Sequence, residues 1–173
     1  MEKIAKKSLS LIILFLFIAL VSESWSVEKS KSKFNNSSVK SFNEALTIAK
    51  KEKKKIVINI YADWCIWCKK MDKDVFPDVN VQKELNKNFV FFRMNGESNA
   101  LIEYDGRKFT HAQFVKAFGI RGFPATLFLN YDSKPITVLP GYVDASMFVN
   151  VLKYIAEEAY LRVNFDEFLK QKK

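Results

Sequence analysis

The sequence predicts an α/β domain built on a mixed sheet of four or five strands with helices on both faces. Three observations carry this expectation. Helical periodicities alternate with short apolar, β-branched runs over the first half of the domain, the pattern of strands joined by helical crossovers. The first such run, "KIVINIYA", is apolar almost without interruption, as expected of a strand covered on both faces. The last two runs, "ATLFLN" and "ITVLPGY", are separated only by a turn at "YDSKP", so they read as an antiparallel hairpin. With 173 residues, 49% of them hydrophobic and 16 of them Phe, the chain is long enough for one domain with a sizeable core.

Each element has its own signal. In "SFNEALTIAKKEKK", Ser41 with Glu44 reads as a capping box. Phe42, Ala45, Leu46 and Ala49 make one helical face,. After the first strand, "CIWCKKMDKDVF" is helical up to Pro77, and Asp78 caps a helix over "VNVQKELNKN",. "FVFFRM", 89–94, reads as a second buried strand. Residues 95–108 are a polar excursion in which the Asp-Gly of "EYDGRKF" closes a small hairpin,. Thr110 caps a helix ending at Gly119. After the terminal hairpin, Asp144 caps a final helix with Phe148, Val151, Leu152 and Ile155 on one stripe,.

Upstream of the domain, Lys3, Lys6 and Lys7 precede a 13-residue apolar run from Leu9 to Val21. As a helix this run spans roughly 20 Å against about 30 Å of bilayer hydrocarbon. It fits the core of a signal peptide, 1–26, cleaved after Ser26; an uncleaved membrane anchor is the alternative. No cysteine follows the run, which speaks against a lipoprotein signal. Residues 27–40, rich in Ser, Lys and Asn, read as a flexible tether, and 41–173 as the domain,. Asn36-Ser37-Ser38 fits a glycosylation sequon, which matters only in a eukaryotic secretory pathway. The expected location is the periplasm. The terminal "KQKK" differs from an endoplasmic-reticulum retention signal,. The net charge is +9, but the lysines are scattered and the chain is read as exported, so no nucleic-acid partner is expected.

The only two cysteines, Cys65 and Cys68, stand in "NIYADWCIWCKKM", directly after the first strand. A structural zinc site needs about four Cys or His ligands, and only His111 remains to add to the pair, so no metal is expected. Haem attachment needs a histidine where Lys69 stands. A structural disulfide would close too short a loop to stabilise much. A working dithiol explains the placement better. Cys65 falls at a helix N-terminus, where unpaired N–H groups and the dipole favour its thiolate. Cys68 lies three residues on, on the same side. Cys65 can then attack a substrate disulfide and Cys68 resolve the mixed disulfide.

"YADWCIWCKK", followed by "GFPATLFL" and "PGY", resembles the thioredoxin superfamily, over roughly residues 40–160. The similarity is greatest to exported bacterial members: the C-terminal periplasmic domain of DsbD, through "YADWC", "DVFPDVNVQKEL" and "GYVDASMF", and stand-alone SoxW-like thioredoxins. The resemblance implies a thioredoxin fold. It implies that Pro124 is cis and faces the dithiol, with Phe123 and Pro124 forming a platform for the substrate backbone. Trp64 matches the family's tryptophan beside the site, while Trp67, between the cysteines, is expected to be exposed and to make an apolar contact with substrates. The family's buried aspartate, six residues before the first cysteine, is Asn59 here, which cannot titrate. Asp72 matches an acid of the DsbD-like domains and is the alternative proton carrier; otherwise it is a solvated helix charge. Ile66-Trp67 lacks the histidine of strong DsbA-like oxidants.

These residues lead to the expectation of an exported thiol–disulfide oxidoreductase acting as a monomer. It would reduce disulfides of exported proteins with electrons from a membrane thiol donor, and it needs no dissociable cofactor because the dithiol carries two electrons. The alternatives are an oxidase or isomerase using the same site, and a non-catalytic binding module with an inert pair.

Overall fold

The computed structural model describes residues 39–172. The expected signal peptide, the sequon and nearly all of the expected tether lie outside them. Ser41 opens α1 (Phe42–Glu52), its hydroxyl accepting from the Glu44 amide. The Glu44 carboxylate reaches back past Ser41 to the Lys40 amide, so the expected capping box closes one residue further upstream. Strand β1 (Lys55–Tyr61) follows, buried over Ile56–Ile60. Next come α2 (Ile66–Asp74), α3 (Val79–Asn88) capped by Asp78, and β2 (Phe89–Asn95). A hairpin of β3 (Leu101–Tyr104) and β4 (Arg107–Thr110) turns at Asp105-Gly106, both with positive φ, as the Asp-Gly signal demands. Helix α4 (His111–Ala117) has a full capping box at Thr110. Strands β5 (Ala125–Leu129) and β6 (Pro135–Pro140) precede α5 (Ala145–Ala156).

The central sheet has the order β2-β1-β5-β6, with β1 parallel to β2 and antiparallel to β5, and β6 antiparallel to β5. This is the expected mixed sheet, with four strands. On one face, Ile56, Ile58 and Ile60 pack with Phe42, Ala45 and Ala49 of α1 and Phe114 and Val115 of α4. On the other, Val57 and Phe128 pack with Met71 of α2, Val81 and Leu85 of α3, and Phe148, Val151, Leu152 and Ile155 of α5. Strand β2 is less buried than its sequence suggests: Phe91, Phe92 and Arg93 are only half-covered, because β2 is an edge strand.

The chain does not end its helices at α5. A 3₁₀ turn (Ala159–Leu161) leads to α6 (Phe165–Gln171), capped by Asn164. Phe165 and Phe168 pack their rings on Tyr154 of α5 at 5.2 and 5.3 Å between centroids. The β3–β4 hairpin gives the polar excursion a structural role. Asn43 of α1 both donates to the Glu103 carbonyl and accepts its amide, at 2.9 and 3.3 Å. Tyr104 meets Phe42 at a tilt and Phe114 and Phe118 edge-on, so the excursion closes one end of the core.

Candidate active site

The dithiol stands where β1 gives way to α2. Cys65 is the N-cap of α2, and its Sγ accepts the Cys68 amide at 3.1 Å. The two cysteines are joined in a disulfide, and both are buried, Cys65 to 3% and Cys68 to 2% exposure. A sulfur in this position occupies the place of a capping oxygen, at the positive end of the helix dipole.

Pro124 lies buried at the start of β5, and the Phe123–Pro124 peptide bond is cis. Its carbonyl accepts the Gly141 amide at 2.8 Å, tying the proline loop to the end of β6. Phe123 packs against Ala62 and the two cysteines. Beside it opens an apolar cavity of about 350 Å³ lined by Ile120, Phe123, Pro124, Val138 and Pro140.

Two aromatic pairs flank the dithiol. Trp64, 65% exposed, meets Phe123 edge-on at 6.1 Å, and its indole N–H donates to Glu97 at 3.0 Å. Trp67, 55% exposed, meets Tyr142 at 5.2 Å. Gly96 makes the first pair possible: a Cβ there would fall 2.5 Å from the Phe123 ring and 2.9 Å from Ile60. Asp63, two residues before Cys65, accepts from the Asn95 side chain. Gly96 and Glu97 were not legible as site residues, since neither belongs to a motif; Tyr142 stands in "PGY", but nothing in that motif marked it as a partner of Trp67.

The two residues considered for proton transfer, Asn59 of β1 and Asp72 of α2, are both neighbours of Arg93 of β2. Asn59 is 1% exposed at the middle of β1, with Arg93 of β2 and Thr126 of β5 as its ladder partners. Paired strand residues point to the same face, so these three form a polar row on the face that α2 covers. Asp72, one helical turn beyond Cys68, makes an ion pair with Arg93 at 3.0 Å (Oδ1 to Nη2). Its carboxylate is thus held by a strand arginine while the side chain keeps 37% exposure. Burial pushes the Asp72 carboxyl above the ordinary aspartate value, and Arg93 draws it back part of the way. Among the described residues no group of three or more His, Cys, Asp or Glu side chains could hold a metal ion, and no helix is long and apolar enough to cross a membrane.

A buried Cys-x-x-Cys at a helix start, beside a cis-proline loop on a mixed α/β sheet, defines a thioredoxin-fold dithiol protein. Residues 42–156 match the family model described as a thioredoxin-like domain, and the chain belongs to that family, among its Cys-x-x-Cys disulfide oxidoreductases. The chain is 31% identical over 116 residues to the thiol:disulfide interchange protein DsbD of Pseudoalteromonas atlantica, covering 66% of this chain but only 18% of that relative. The chain thus spans less than a fifth of that relative's length. Among solved structures, a putative disulphide-isomerase from Bacteroides thetaiotaomicron is 30% identical, with a TM-score of 0.53, over 66% of this chain and 86% of that one. The C-terminal domain of Neisseria meningitidis DsbD in its oxidised form shares the fold, with a TM-score of 0.51 at 23% identity over 64% of this chain and 89% of that one.

Proposed function

We propose that the protein is an exported thiol–disulfide oxidoreductase that reduces disulfides of periplasmic proteins. The observation that carries this reading is the Cys65 sulfur at the N-cap of α2, accepting the Cys68 amide. In the reduced protein the same N–H and the helix dipole favour a Cys65 thiolate, the attacking species. The thiolate attacks one sulfur of the substrate disulfide, forming a mixed disulfide and expelling the other sulfur as a thiolate. Cys68 gives up its proton, for which Asp72 is the acceptor, and attacks the Cys65 sulfur. The second substrate sulfur leaves, and Cys65 and Cys68 are oxidised to a disulfide as the substrate gains two electrons. A membrane thiol donor returns the protein to the dithiol.

Because Cys65 is nearly covered, a partner disulfide reaches it only by coming down against Trp64, Ile66 and Trp67, all exposed. Phe123 and Pro124 then offer the platform for the partner's backbone. The resemblance of the chain to thiol:disulfide interchange proteins supports the reaction class. The reductive direction rests on charge. Ile66-Trp67 places no cation beside Cys65, and Lys70 is engaged with Asp74 at 2.7 Å. A strong oxidant needs extra stabilisation of its thiolate.

Replacing Cys68 by Ser tests the roles. The variant is expected to retain substrates on Cys65 as adducts that added thiols release, while Cys65→Ser retains none. Trapping by Cys65→Ser alone would reverse the two roles, and trapping by neither would leave the pair inert.

A further inference from the structure

We propose that Arg93 is a positioning residue for proton transfer at Cys68, acting through the carboxylate of Asp72. The inference rests on the oxidoreductase reading above and adds a residue to it that no motif marks.

The geometry is specific. Arg93 stands opposite Asn59 in the β1–β2 ladder, so its nearest strand neighbour is neutral. The guanidinium instead lies over the Tyr61 ring at 4.3 Å and pairs with Asp72 across the gap to α2 at 3.0 Å. Asp72 is four residues beyond Cys68, and side chains at that spacing are neighbours on a helix face. The cluster is also not a saturated salt bridge. Asn59 Nδ2 and Arg93 Nε are buried and have no hydrogen-bond partner among the described residues. Unused hydrogen-bonding capacity of this kind is costly in a purely structural cluster, and a redox or catalytic role is one of the reasons a protein keeps it.

The chemistry follows. For Cys68 to attack, its S–H bond must break and the proton must pass to a base. The sulfur keeps the electron pair that then forms the bond to Cys65. Ionised Asp72 can take that proton and return it to the departing substrate thiolate, so the carboxylate ends as it began. Arg93 favours the ionised form, opposing the burial of Asp72,. Arg93 is the one charged group that shifts Asp72; Tyr61 of β1 lies behind the guanidinium, and Cys68 and Lys69 are neighbours of Asp72 on α2 by their spacing of four and three residues,.

The test uses the reduced full chain and a chromogenic nitrobenzoate disulfide, which releases one coloured thiolate when Cys65 attacks and a second when Cys68 resolves. The second phase is followed against pH. Arg93→Met should move its midpoint upward by about one pH unit, and Arg93→Lys should restore it; Arg93→Gln serves if Arg93→Met does not fold. Asp72→Asn should slow the second phase on the order of 10²-fold. Adding Arg93→Met to Asp72→Asn should shift nothing further, because the arginine acts through the carboxylate. A fall in melting temperature with an unmoved profile would make Arg93 structural and overturn the proposal. A shift that persists in the Asp72→Asn background would overturn it as well. Failure of wild type to show even the first phase would instead remove the oxidoreductase reading, and the inference with it.

Discussion

The two faces of the central sheet are built differently. The face under α1 and α4 is closed by Ile56, Ile58, Ile60, Phe42 and Phe114, with Tyr104 of the hairpin and Phe118 packed at its border. The face under α2, α3 and α5 is equally apolar around Val57, Phe128 and Phe148. Toward the dithiol, however, it changes to the row Arg93, Asn59 and Thr126, with Asp72 above it. An apolar layer gains stability from every side chain it covers, whereas a buried polar row gains only where its hydrogen bonds are complete. One face thus supplies rigidity, and the other gives up some of it to keep ionisable groups beside a sulfur.

The difference can be broken from either side. The largest expected effect is on the apolar face. Phe114 is fully buried and meets the rings of Phe42, Tyr104, Phe109 and Phe118. Phe114→Ala should cost about 3–5 kcal/mol, read by denaturant unfolding, while the folded fraction keeps its dithiol chemistry.

A smaller, pH-dependent effect is expected at Asp72. Its carboxyl is held above its unfolded value of 3.8, so the folded state binds the extra proton and stability falls as pH rises through that window. Relative to Asp72→Asn, wild type should therefore lose stability from just below pH 4 upward and then run parallel. Thermal unfolding of the two proteins across pH checks this. A wild type that gains on the variant over the same range would mean that Arg93 outweighs burial.

The smallest effect should come from Asn59→Leu. It removes a buried donor that has no partner and keeps the volume, so stability should stay within about 1 kcal/mol of wild type. A loss of several kcal/mol would show that the amide makes interactions the polar row depends on.

Local chemistry made much of this legible in the sequence. Ser41, Asp78, Thr110 and Asp144 all cap the helices that their side chains announced, and Asp105-Gly106 closes its hairpin. The dithiol was readable because its strand and helix are adjacent in the chain. Pro124 was readable through resemblance alone. Arg93 was not legible: in "FVFFRM" it looks like an ordinary strand residue. Only the parallel register of β1 and β2, set by packing across the α2–α3 crossover, brings it to Asn59 and Asp72. Glu97 was hidden for the same reason, since its partner Trp64 lies 33 positions away. Helix α6 could have been found, because Asn164 is a capping residue and Phe165 and Phe168 lie on one helical face,.

The equilibrium potential of the Cys65–Cys68 couple against glutathione tests the central claim most directly. A dithiol with no cation between its cysteines, and with Asp63 and Asp72 near them, should not favour its thiolate beyond what the helix start provides. Its potential should lie near thioredoxin's, about −270 mV. A value near that of DsbA, about −120 mV, would contradict the reductase reading and make the protein an oxidant.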